Sequence, residues 1–305
     1  MRAAIAFPLL ALACGGVPIE TTKGEDKARR TVPVPVCVQP LSRSTSGIST
    51  VQPADYWKMV LPAYDVSSQT VESSSPDCAG RQAFAEADVM NAEGPRSSTL
   101  AAKPENAVIS PGPDQFRVVW LRTFRFADDS WSGPIALTRP REGYAEVYGT
   151  GYFRGKLKST RFSLERMGSR ILVAATDEGC GDVKPGQGCE TNYTVFLLGG
   201  GRLTQSAQFA LDRTDYRPFG GMAGVAKYRL TATPVFGPKS LRVVEQVIVQ
   251  DPNHGVVRKA DLERTFRLDR NGTLESDRPS LWAEISAGPA QNNPAPNPNN
   301  KPKPR

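Results

Sequence analysis

One histidine, His254, stands in a chain of 305 residues. A serine or cysteine triad, or a metal site built from several imidazoles, would have to use this one residue or do without it. Its setting, Asp251-Pro252-Asn253-His254-Gly255, reads as a solvated turn. No Gly-x-Ser-x-Gly, Ser-x-x-Lys or phosphate-loop string occurs. Gly149 and Gly151 open like a dinucleotide loop, but a Tyr- and Phe-rich strand follows them, so they read as strand packing or a bulge. Nothing in the residues calls for a cofactor. Around a Gly- and Pro-containing loop, Asp177, Glu178, Asp182 and Glu190 could offer oxygens to a cation. Their spacing matches no calcium loop, so the stretch reads as a surface loop and no metal is expected.

Four charged residues are more informative. Arg122, Glu245, Arg258 and Arg264 fall at positions whose parity is otherwise apolar. A charge on a buried face needs a partner, and Glu245 with Arg258 is the pair the register suggests. The first reading of the set is an ion-pair network at the open edge of a sheet. The second is a ligand site: in a sheet curved into a barrel the four would project inward and take an acidic or amphipathic ligand. Glycoside hydrolysis needs two acids facing across a cleft, whereas the acids here lie mostly on wet faces.

The elements that must position these residues are strands. From Val225 to Leu268 side chains alternate through three segments. Ala226, Tyr228 and Leu230, then Leu241, Val243, Val247 and Val249, then Val256, Ala260, Leu262, Phe266 and Leu268 fall on one side. A period of two sustained over this length means antiparallel strands with one face buried. The apolar set is odd-numbered in the second segment and even-numbered in the third, so paired positions must sum to an odd number. Val249 opposite Val256, across a loop of Asp251 to His254, meets that condition. Upstream, Phe116 to Phe126, Tyr144 to Phe153, Lys158 to Leu164, Ile171 to Thr176, Tyr193 to Leu198 and Leu203 to Leu211 read as further strands. The expected fold is mainly β: an antiparallel meander of about nine or ten strands forming a curved sheet, barrel or sandwich. Residues 37–112 are poorly patterned, with a short helix expected from Gln82 to Asn91 carrying Phe84, Ala87 and Met90 on one side.

The two ends read differently. Arg2, the apolar run Ala3 to Leu12 and the small residues Ala11-Leu12-Ala13 before Cys14 have the layout of a signal peptide over residues 1–13. Leu10-Ala11-Leu12-Ala13-Cys14-Gly15-Gly16 resembles the lipobox of bacterial lipoproteins. That resemblance implies acylation of Cys14, membrane attachment in the cell envelope and, with Gly15 rather than aspartate next, the outer membrane. An ordinary secretory signal cut at the same bond would instead leave a secreted or periplasmic protein with a free Cys14. Five cysteines favour the lipid. With Cys14 consumed, Cys180 pairs with Cys189 around their loop and Cys37 with Cys78, as suits an oxidising compartment. Residues 14–36, with Val32-Pro33-Val34-Pro35-Val36, read as a tether. One β-rich domain then spans 37–287, its regular strands within 113–287, and residues 288–305 form a disordered Pro/Asn tail.

The net charge of +7 is concentrated at these ends. Removing Arg2, Lys301, Lys303 and Arg305 from +7 leaves +3, and the remaining charges are interspersed. No basic stripe carries interleaved aromatics, so no nucleic-acid partner is expected. The function expected is that of a non-enzymatic envelope lipoprotein contacting an envelope protein or polysaccharide. A carrier of a small or lipid-like ligand comes second, and a carboxylate-dependent hydrolase third.

Overall fold

The structure is a computed structural model that describes residues 33–41, 51–93, 97–156, 159–180, 187–218 and 224–286. Cys14, residues 1–32, Asp182 and the tail 288–305 lie outside the described residues. In chain order the elements are β1 (Cys37–Pro40), α1 (Pro53–Val60), β2 (Thr70–Glu72), α2 (Glu86–Asn91), β3 (Thr99–Ala101) and β4 (Ala107–Pro111). Then come β5 (Arg117–Leu121), β6 (Phe124–Arg125), β7 (Ser130–Arg141), β8 (Tyr144–Lys156), β9 (Thr160–Met167) and β10 (Arg170–Asp177). The last are β11 (Cys189–Gly199), β12 (Arg202–Pro218), β13 (Val225–Phe236), β14 (Ser240–Gln250), β15 (Val256–Leu268), β16 (Leu274–Ser276) and α3 (Leu281–Ser286).

Fourteen strands join one large sheet, while β2 and β3 pair apart from it. The pairing is antiparallel except where Arg202 and Leu203 of β12 run parallel to Thr150 and Gly151 of β8. The sheet does not close into a barrel. It doubles back into three leaves, β4-β5-β7-β8, then β9 to β12, then β13 to β16, with apolar layers between them. Val118, Trp120, Ile135 and Phe153 meet Phe162, Val173 and Phe196 in one layer. Leu172, Ala174, Tyr193 and Val195 meet Phe209, Leu241, Val243 and Phe266 in the next. Outside the leaves, α1 covers Val119, Leu121, Ala136 and Val147, and α3 covers Tyr228, Leu230, Val247 and Val249. β12 turns the corner: its first part pairs with β11 and its last with β13, and bulges at Thr191/Asn192 and Val195/Phe196 accommodate the bend. The layers place Ile171 to Ala175 between two apolar surfaces. A continuous apolar run is what a strand buried on both faces requires.

The structure corrects several sequence expectations. β7 was not foreseen because Pro134 and Pro140 interrupt its pattern. Pro134 is tolerated because that edge of β7 changes partner there, from β6 at Trp131–Ser132 to β5 from Ile135 onward. α1 was also unforeseen, although Pro53 begins it and the Asp55 carboxylate accepts the Gln52 N–H at 2.8 Å. α2 is shorter than expected, and Met90 is exposed while Val89 packs on the core. In the hairpin the odd sum holds, but the register is two residues on: Val249 faces Arg258 and Glu245 faces Leu262. A loop one residue longer, 251–255, supplies half of that slip and a bulge beside Gln250 the other half, leaving Val256 60% exposed.

Both disulfides are formed, Cys37–Cys78 and Cys180–Cys189. They are the mark of an oxidising compartment outside the cytoplasm. No helix among the described residues is long and apolar enough to cross a membrane.

Candidate functional site

The four charged residues singled out in the sequence do not converge. Glu245 and Arg264 meet, with Arg264 Nη1 donating to Glu245 Oε1 at 2.6 Å. They are 1% and 8% exposed. Glu245 Oε2 also accepts the Ser280 hydroxyl at 2.9 Å and the Leu281 N–H at 2.7 Å. Arg264 Nε donates to Ser276 Oγ at 3.1 Å and the Arg278 carbonyl at 3.2 Å. This is a polar knot that fastens the start of α3 to β14 and β15. Arg258, the partner expected for Glu245, is exposed at the hairpin end instead, because the register places it opposite Val249, four residues along the strand from Glu245. Arg122 lies on the first leaf, 7% exposed, with Nε and Nη2 donating to the carbonyls of Asn106 and Glu105 at 3.1 and 2.9 Å. Burial lowers its pKa, and its guanidinium lies 5.7 Å from the Trp131 ring centre.

The acids around the Cys180–Cys189 loop form no cation site among the described residues. Asp177 accepts the Lys156 N–H at 2.8 Å, Glu178 approaches Arg161 at 4.0 Å, and Glu190 approaches Arg213 at 3.5 Å.

The site the sequence did not reveal is a solvent-open cleft of about 530 Å³, where residues 77–85 lie across the β8–β12 junction. Three features build it. The Cys37–Cys78 bridge ties this segment to β1, which pairs with β8. Asp77 is buried and accepts three hydrogen bonds: Oδ1 takes the N–H groups of Ala79 and Arg81 at 2.9 Å each, and Oδ2 takes the Thr150 hydroxyl. Gly151 then lets β12 come close, since a Cβ there would stand 2.2 Å from the Leu203 carbonyl oxygen. The two strand glycines therefore serve packing, as their sequence setting suggested.

Arg81 closes the near end, donating to the carbonyls of Gly201 at 2.7 Å and Gly200 at 3.1 Å. Arg202, Gln205 and Tyr152 complete the working surface, over a floor that includes the buried Phe84. Neither Arg81 nor Arg202 has an acidic side chain within ion-pair distance among the described residues. The Tyr152 hydroxyl bonds to Asp88 of α2 and, at 2.7 Å, to Ser132. Burial, then Asp88, pushes its pKa far above the usual phenol range, so it remains a protonated hydrogen-bonding group. The arrangement can hold an anionic group on the exposed Arg202 guanidinium, with the charge of Arg81 nearby, beside the Tyr152 ring. In the sequence, Asp77 and Arg81 gave no signal beyond their nearness to Cys78. No family model, curated protein or solved structure matches this chain.

Proposed function

We propose that the chain is a cell-envelope lipoprotein, anchored through Cys14, that works by binding an acidic polysaccharide of the envelope rather than by catalysis. The observation that carries this reading is the cleft at the β8–β12 junction, where the exposed Arg202 and the half-buried Arg81 have no acidic partner among the described residues. Gln82, Thr204 and Gln205 suit sugar hydroxyls, and the half-buried Tyr152 offers apolar surface for a ring face. The packed layers between the leaves favour binding at this open surface over carriage of a ligand inside the sheet.

The test is calorimetric titration of the full chain with an oligouronate, with a neutral oligoglucan as the control. Arg202 is exposed, so Arg202→Gln leaves the fold intact. The expected result is oligouronate binding that weakens at least tenfold in Arg202→Gln and falls with salt. Equal binding of both glycans, or oligouronate binding unchanged in the variant, would overturn the reading. Membrane fractionation and mass spectrometry of the mature N-terminus test the anchor: a Cys14→Ser variant should leave the membrane fraction.

A further inference from the structure

We infer that the β15 edge is a self-pairing surface and that two copies join there, antiparallel, about a two-fold axis through Ala260. The argument begins with which backbone groups are free. β15 pairs with β14 along its length, but on its other side β16 covers just Phe266 to Leu268. The Thr265 carbonyl and N–H also point away from β14, bonding to the Asp277 N–H at 3.0 Å and the Asp277 carboxylate at 2.9 Å. In an antiparallel strand both groups of a residue point the same way and alternate along the chain. Lys259, Asp261 and Glu263 therefore aim their backbone N–H and C=O at the open side, unpaired among the described residues. An edge of this kind accepts another strand by main-chain hydrogen bonding.

Side-chain charge then selects the occupant. Hydrogen-bonded positions in an antiparallel pair must both aim outward, so odd residues face odd residues and the two-fold axis falls on a residue. An axis at Lys259 sets that lysine against itself. An axis at Asp261 sets Asp261 against itself and Arg258 against Arg264. The axis at Ala260 sets Lys259 against Asp261 twice, Val257 against Glu263 and Arg258 against Leu262, with no like charges opposed. A parallel two-fold pairing would align identical charges throughout.

Two further features fit a second copy. Lys259 has no acidic partner within its own chain among the described residues, and the pairing supplies one. Ala260 and Leu262 are half-buried beside the α3 layer, so joining two edges extends that apolar surface across the axis. Alanine on the axis also allows the close approach of a non-hydrogen-bonded pair, about 4.5 Å between Cα atoms.

The test is sedimentation equilibrium of the full chain in density-matched detergent, with circular dichroism to verify folding. Wild type should dimerise, and Lys259→Asp and Asp261→Lys should each weaken dimerisation at least tenfold. The double variant Lys259→Asp/Asp261→Lys should restore it. Ala260→Cys should give a covalent dimer on oxidation. A monomeric wild type, a dimer indifferent to the single swaps, or a double variant no better than the singles would overturn the inference.

Discussion

Replacing Glu245 with alanine tests whether the polar knot beneath α3 holds the C-terminal end of the fold. The carboxylate is 1% exposed and accepts three hydrogen bonds, from Arg264, Ser280 and Leu281. Removing it leaves a buried guanidinium without its counter-charge and the first N–H of α3 without its acceptor. Breaking a buried pair from one side costs about 3–5 kcal/mol. For a body of this size that lowers the melting temperature by roughly 6–20 °C. Glu245→Leu/Arg264→Met removes both charges while keeping similar bulk. It should recover most of the loss, to within about 2 kcal/mol, because the Leu281 N–H remains unsatisfied. Thermal unfolding of wild type, Glu245→Leu, Arg264→Met and the double variant, disulfides intact, gives the coupling directly. Hydrogen exchange adds a local readout: amides of Trp282 to Ile285 should exchange faster in Glu245→Ala than in the double variant. A loss below about 1 kcal/mol, or a double variant as unstable as the two singles summed, would refute the assignment.

The two disulfides should differ in worth. Residues 37 and 78 are 41 apart and residues 180 and 189 are 9 apart, so the chain-entropy model gives about 4 and about 2.5 kcal/mol respectively. Paired cysteine-to-alanine variants in urea unfolding would reverse that ranking if the reasoning fails. Asp65 bonds to Ser67 through the hydroxyl and backbone N–H and also to the Ser68 N–H, and these hold its pKa down from 3.8 to about 2. A depressed carboxylate stabilises the fold above its unfolded pKa and ceases to do so as pH falls through the folded one. Asp65→Asn should therefore flatten the acid limb of thermal stability between about pH 4 and pH 2, and an unchanged limb would contradict the bonding described.

The regular β architecture was legible because its signal is local. Alternation along β13 and β14 survives in any context that buries one face, and it gave the odd-sum rule that the hairpin obeys. What failed was set by longer-range geometry. A loop one residue longer together with a bulge beside Gln250 shifted Glu245 from the neighbourhood of Arg258 to that of Arg264, and a parity argument is blind to a slip of two. β7 was hidden because proline reads as a breaker, and only the exchange of β6 for β5 along its edge shows why Pro134 fits. The cleft was hidden more deeply. Asp77 and Arg81 sit in a segment without period, and Thr150, Tyr152 and Arg202 come from strands far away in sequence. Nothing local marks such residues until the β8–β12 junction brings them together.

That junction also explains why polar links are so prominent where they occur. The first two leaves meet directly in a two-residue parallel contact, Arg202–Leu203 against Thr150–Gly151, too short to fix their angle by ladder hydrogen bonds alone. The residues 77–85 that bridge it are short of apolar period, so hydrophobic burial alone specifies their position weakly. Asp77 on Thr150 fastens this segment to the first leaf, and Arg81 on Gly200 and Gly201 fastens it to the second. Directional bonds can fix such an angle where non-directional packing cannot. The same links hold the cleft open with guanidinium groups already placed, so a ligand there would bind without first ordering the chain. Arg81→Lys, which keeps the charge but lacks the planar fork, should therefore loosen the junction even without ligand. Faster amide exchange in residues 77–85 and at Gly200–Gly201 would register it, and unchanged exchange would mean that the cleft is held by packing alone.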